Sequence, residues 1–300
     1  MKKTTLSLTS EFDGYNLAAD FYQIDNPLAL VVIFGGMMEH KERYQNFAEF
    51  LTNQNYAVLV CDHRGHGETA EILGYFGKRL GWLNNLVDLK KIIEVAALTY
   101  PKVKKYLVAH SMGTLFARAY LKRYPNDFEK YVLSGTPANN PLVKAALNLA
   151  KLDKIIKGEK TPNPALHKLV VLAFNKAIKN PKTDYDWLSY NKSNVEDYIK
   201  DPLCGFVFTT SGFIDLFEVT IDAYSKRDWG KSKLNPTILF ISGDDDPCSS
   251  PDQFAAAITH LKDRGYKNVK GIRYPKMRHE IFHEDLKETI FQDIFEFFSS

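Results

Sequence analysis

The chain has few cysteines. Cys61, Cys204 and Cys248 are three in 300 residues, far apart and in no CxxC pair. That excludes a disulfide framework and a four-cysteine zinc site. Charge of one sign is also missing: 39 basic against 36 acidic residues leave a net +3. So small an excess argues against a nucleic-acid partner, and Lys102, Lys104 and Lys105 read as solvated surface. No segment approaches the ~18 uninterrupted apolar residues of a membrane span. The opening MKKTTLSLTSEFDG carries two lysines without the apolar run of a signal peptide. Repeats and low-complexity tracts are absent. These absences lead us to expect a soluble, cytoplasmic protein, and they leave its oligomeric state open.

What is present is ordinary for a substantial core: 45% hydrophobic, 25% charged and 13% aromatic residues,. The length suits one large α/β unit with an insertion. TTLSLTS and YNLAADFYQI alternate around EFDG and predict an antiparallel opening pair. Short continuous apolar bursts follow at 28–34, 56–61, 105–110, 130–135, 237–243 and 268–275. Such bursts are how parallel strands read when helices cover both faces. Amphipathic stretches separate them: HKERYQNFAEFLTNQ, WLNNLVDLKKIIEVAALTY, MGTLFARAYLKRY, PDQFAAAITHLKDRG and DLKETIFQDIFEFF. The alternation predicts a doubly wound, mostly parallel sheet. From about 136 to 229 no buried strand is legible, only helical patterns broken by proline and glycine. We therefore expect a core over 1–135 and 230–300 with a helical cap at 136–229.

In such a sheet reactive groups belong in loops at the carboxyl ends of strands. YLVA runs into AHSMG and then a helix, close to the G-x-S-x-G nucleophile elbow, with Ala109 at the first glycine position. Small residues are needed there because strand and helix approach closely around a strained turn. Ser111 is the candidate nucleophile; a plain helix N-cap is the alternative. FISGDDDPCS offers Asp244, Asp245 and Asp246. One carboxylate orienting a histidine suits this place better than a metal site, because neighbouring residues of an extended segment point in different directions and no spaced calcium-loop ligands follow. His279-Glu280-Ile281-Phe282-His283 matches the zinc-protease HExxH. Pro275 is poor helix context, however, and no downstream H-x-x-G-x-x-H follows. We read the match as coincidence, with His279 just past a strand and His283 as a surface or loop residue. Serine, aspartate and histidine then fall in the α/β-hydrolase order. Gly35 and Gly36 leave the first core strand, where a backbone amide can approach the site as the partner of the Met112 amide behind the serine; a simple strand-to-helix turn is the alternative.

In series, these segments resemble the monoacylglycerol lipase and lysophospholipase branch of the α/β-hydrolase superfamily, grouped with serine aminopeptidase-like hydrolases. GGMMEHKERYQNFAEFL is similar to its H-G-M-x-E-H-x-x-R-Y segment, and VCDHRGHGET to its D-x-R-G-H-G-x-[ST] turn. AHSMGTLFARAYLKRYP is similar to its elbow helix, SGDDDPCS and YPKMRHEIFHE to its acid and histidine loops, and DWLSYNKSNVEDYIKDPLCGF to part of its cap. The resemblance implies Ser111 as nucleophile, His279 as general base and Asp246 as orienting acid, because the family's G-x-x-D-P falls on Gly243 to Pro247. It implies Met37 and Met112 as oxyanion donors. Gly35 stands where the family carries a histidine, and Ala109 where it carries glycine. The implied activity is cleavage of lipid-like carboxylic esters through an acyl-enzyme, with no cofactor and no metal. Peptidase, thioesterase and acyltransferase chemistry on the same triad are the alternatives, and a non-catalytic binding protein on this scaffold is another. A lipid ester is the implied small-molecule partner, with transient membrane-surface contact through the cap.

Overall fold

A computed structural model describes residues 1–300. Eight strands form one sheet: β1 (Lys2–Thr9), β2 (Asn16–Gln23), β3 (Ala29–Phe34), β4 (Ala57–Cys61), β5 (Lys104–His110), β6 (Lys130–Ser134), β7 (Thr237–Gly243) and β8 (Val269–Tyr274). Their order is β1-β2-β4-β3-β5-β6-β7-β8. β2 runs antiparallel to β1 and β4, and every pairing from β4 to β8 is parallel. The strands thus fall within a residue or so of the six apolar bursts and the alternating opening pair. Those bursts are continuous because both faces are covered: every residue of β3 and β4 is buried,.

The helices are α1 (Gln45–Asn53), α2 (Gly81–Ala97), α3 (Met112–Arg123), α4 (Val143–Lys157), α5 (Pro164–Val170), α6 (Lys192–Lys200), α7 (Thr210–Ala223), α8 (Pro251–Lys262) and α9 (Lys287–Ser299). One face of the sheet packs against α2, α3 and α8 through Leu86, Leu89, Leu115, Phe116 and Phe254. The other packs against α1 and α9 through Phe47, Leu51, Phe291 and Phe298. α4 to α7 lie between β6 and β7, and α7 packs on α2, α3 and α4. The segment has no strand in the sheet; its one bridge pairs Pro162 with Thr209. Its α6 was not legible as a helix, because NKSNVEDYIK carries only a thin apolar stripe. The Asn191 side chain starts it by accepting the Asn194 N–H,.

Candidate active site

β5 ends at His110 and α3 begins at Met112. Ser111 alone makes the turn, at φ 48° and ψ −120°. A non-glycine residue in that region is strained by roughly 1–3 kcal/mol and persists only where its surroundings over-determine it. Here the surroundings do so. A β-carbon on Gly113 would stand 2.4 Å from the Gly35 carbonyl oxygen and 2.5 Å from that of Phe34. Helix α3 therefore rests directly on the end of β3. Ala109 pairs with Phe34 in the sheet and is fully buried. Gly113→Ala should force α3 off β3 and cost about 1–3 kcal/mol of stability, read as a lowered melting temperature.

The loops after β7 and β8 bring the other groups in. His279 Nε2 is 2.8 Å from Ser111 Oγ, and its Nδ1 lies 3.0 and 3.1 Å from the two Asp246 oxygens. These partners set the tautomer: Nδ1–H donates to Asp246, and Nε2 accepts from the serine hydroxyl. Asp246 Oδ1 also accepts from the Cys248 amide and Oδ2 from Ser242 Oγ. Close backbone packing seats the histidine loop, since a β-carbon on Gly243 would stand 2.1 Å from the Met277 carbonyl oxygen. The three adjacent aspartates part company. Asp244 accepts from Arg273, Asp245 from Tyr190, and only Asp246 is buried against the histidine.

Burial alone would lower the His279 pKa, but the touching Asp246 carboxylate overrides it and raises the imidazole above its ordinary value. Burial opposes ionisation of Asp246 as well, and His279 holds its carboxyl below the usual range. Two further rings pack against His279: His110, 4.7 Å away between centroids, and Trp187, 5.0 Å away. Burial drops the His110 pKa to about 3, so it faces His279 uncharged at neutral pH.

The HExxH segment is no zinc helix. His279 precedes a single 3-10 turn, Ile281–His283, and is already held at both nitrogens. His283, expected as a surface or loop residue, ends that turn half-buried, with its ring edge-on to Tyr44 and its Nε2 sealed from solvent. Burial, then the Arg43 charge, lowers its pKa to about 4. The turn between Pro275 and α9 folds back under the loop after β3, a contact that local sequence does not encode.

Glu280, the glutamate of that match, serves another purpose. Arg43 donates to it through both terminal nitrogens, at 2.7 and 2.8 Å, and to Glu39 at 2.8 Å. Asn194 of α6 joins the same cluster, 2.7 Å from Glu280. Glu39 in turn accepts from the Gly36 amide and from the Tyr44 hydroxyl. The loop after β3 is fixed at both ends by the next strand's loop. His63 Nε2 donates to the Gly35 carbonyl at 3.1 Å, and His66 Nε2 accepts the Met38 amide at 3.2 Å. Burial lowers these two pKa values to about 3 and about 4, so both act as neutral rings. His63 supplies, from the neighbouring loop, a ring contact to the loop in which Gly35 replaces the family histidine. Motif spacing alone did not show any of these roles. Arg64 anchors the second loop, fully buried and bonded to Asp88 and Asp13.

Gly36, Met37, Met38, Ser111, Met112 and His279 line one cavity of about 390 Å³, with 19 hydrophobic residues among 30. Its far walls come from the segment between β6 and β7, including Ala146, Val170, Phe174, Leu216 and Phe217. A model of the serine aminopeptidase S33 family matches residues 25–286. The chain belongs to that family. Within it, the chain falls on the monoacylglycerol lipase-like branch of the α/β-hydrolases. It is 26% identical over 292 residues to a monoacylglycerol lipase of Mycolicibacterium smegmatis, covering 94% of this chain and 92% of that one. A monoglyceride lipase homolog of monkeypox virus is 32% identical over 275 residues, covering 90% and 89%. A thermostable carboxyl esterase from Bacillus coagulans, solved with glycerol, superposes with a TM-score of 0.89 at 25% identity, covering 100% and 98%. A Saccharomyces cerevisiae monoglyceride lipase variant shares the fold at 16% identity and a TM-score of 0.75, covering 99% and 95%. The chain is an ester-hydrolysing α/β-hydrolase. No helix is long and apolar enough to cross a membrane.

Proposed function

We propose that Ser111, His279 and Asp246 are the catalytic triad of an esterase acting on a lipid-like acyl ester, a monoacylglycerol or lysophospholipid, through an acyl-enzyme. The observation that carries this is the hydrogen-bonded chain from Ser111 through His279 to Asp246, with Ser111 and His279 lining a mainly apolar cavity. His279 takes the Ser111 proton as Oγ attacks the ester carbonyl, and Asp246 steadies the imidazolium that forms. The Met37 and Met112 amides receive the charge on the carbonyl oxygen, each worth about 3 kcal/mol of barrier. His279 then protonates the leaving alcohol and activates the water that releases the acid. Residues 136–229 act as a cap whose apolar inner wall takes the acyl chain. The lipase names of the relatives favour this substrate over the amide, thioester and acyl-acceptor alternatives.

His279 must be neutral to accept the proton. Its pKa is raised in the folded protein, so kcat/KM should fall as pH drops through an inflection above the ordinary 6.5,. Asp246→Asn removes the carboxylate, so it should lower kcat about 10⁴-fold and move that inflection down. An unchanged inflection would show that Asp246 does not govern the base.

The outer face of α4 exposes Leu149, Leu152 and Ile156 beside Leu142, at helical spacing and among Lys144, Lys151 and Lys157,. This is the face we assign to transient membrane contact. The deciving experiment is a panel of glycerol esters of graded acyl length, lysophospholipids, aminoacyl amides and acyl thioesters. The first two classes should be cleaved fastest; preference for the amides or thioesters would overturn the substrate assignment. Leu152→Asp should slow cleavage of esters held in anionic vesicles and spare dissolved short-chain esters. Equal rates on vesicles would remove the membrane contact.

A further inference from the structure

The loop after β3 and the segment after α6 meet at three side chains that the proposed ester chemistry does not use. His40 Nε2 lies 2.8 Å from Asp201 Oδ2, and the Cys204 thiol completes a group whose ligand atoms all fall within 4.8 Å of one another. We propose that His40, Asp201 and Cys204 form a binding site for a divalent transition metal, zinc by its donor set, that ties the loop after β3 to the helical segment.

Imidazole nitrogen, carboxylate oxygen and thiolate sulfur are the three ligand types zinc takes in proteins. Bonds of about 2.0–2.3 Å place tetrahedral ligands roughly 3.3–3.8 Å apart, so the group closes on a cation with shifts of about an ångström or less. His40 and Cys204 are buried, while the Asp201 side chain is 31% exposed and leaves a way in. Asp201 brings a carboxylate to the group, and the nearby Arg43 guanidinium is already engaged by Glu39 and Glu280. Water would fill the fourth position. Binding converts the Cys204 thiol to a metal thiolate and releases its proton to solvent.

The position gives the site a consequence. His40 directly follows Glu39, whose carboxylate holds the Gly36 amide, and the Gly205 amide donates to the Met38 carbonyl at 3.1 Å. A metal here would fasten the loop carrying Met37 to the segment that walls the cavity. The other mixed cluster, Asp246, Cys248 and His279, is less suited. A metal there would break the Asp246–His279 hydrogen bond that turns the ring toward Ser111.

The test is titration of the full-length chain with Co²⁺, then Zn²⁺, followed by absorption and by melting temperature. One equivalent of Co²⁺ should produce a thiolate-to-cobalt charge-transfer band that Zn²⁺ removes, and Zn²⁺ should raise the melting temperature. Cys204→Ser should abolish the band, Cys248→Ala should retain it, and Asp201→Asn should weaken binding by more than about tenfold. Asp201 is partly exposed, so that variant carries the test if Cys204→Ser does not fold. Absence of a band in the unaltered protein overturns the proposal. So does a band that survives Cys204→Ser or disappears in Cys248→Ala, since that moves the metal to the other cluster. Because none of these readouts requires turnover, the outcome is independent of the ester assignment.

Discussion

Ser111→Ala should lower kcat on a glycerol ester by about 10⁶-fold, as loss of a serine nucleophile does in other triads, and leave a folded protein. The fold should survive because Ser111 holds its turn through backbone contacts. Its amide bonds the Ser134 carbonyl, its carbonyl accepts from Thr114, and Gly113 seats the helix on β3. His279→Ala should cost nearly as much, and the double variant hardly more than either, because hydroxyl and imidazole work as one unit. Additive losses would show that the two act independently. Steady-state rates beside circular dichroism separate lost chemistry from lost structure.

Arg43→Met should destabilise the protein by about 3–5 kcal/mol. It would leave Glu39 and Glu280, both almost fully buried, without the cation between them. At present burial opposes ionisation of Glu280, yet the Arg43 charge holds its carboxyl well below the usual range. Arg43→Lys should fail to restore stability, since an ammonium cannot span Glu39, both Glu280 oxygens and Asn194 as the planar fork does,. The same clamp sets the loop bearing Met37. Below its melting temperature, Arg43→Met should therefore lose kcat with little change in KM. An unaltered kcat would reduce the cluster to a structural role. Denaturant midpoints measure the first effect and ester kinetics the second.

The sheet was legible because its strands are short and buried on both faces, so LALVVIF and TILFISG read as continuous apolar runs. The elbow was legible because AHSMG packs a steric requirement into five residues. The three aspartates were not separable by local pattern. Their placement depends on Arg273, Tyr190 and His279, all distant in sequence, and only the family's G-x-x-D-P singled out Asp246. The Arg43–Glu280 pair spans 237 positions and was invisible for the same reason. Glu280 instead took on a false meaning from its neighbours, as the middle of an apparent metal motif. Trp187 against His279 and the half-buried His283 are likewise products of the segment between β6 and β7 and of the last turn folding onto the core. No periodicity records such contacts. Composition and spacing identify elements, and they do not report which loops those elements bring face to face.

In the proposed reaction one hydroxyl, activated by one imidazole, attacks the acyl carbon. A fluorophosphonate probe followed by peptide mass mapping reads that hydroxyl itself. The modification should fall on Ser111 alone and be lost in His279→Ala, while the pocket-lining Cys248 stays unmodified. Failure of the native protein to react, or labelling at another side chain with Ser111 untouched, would contradict the triad.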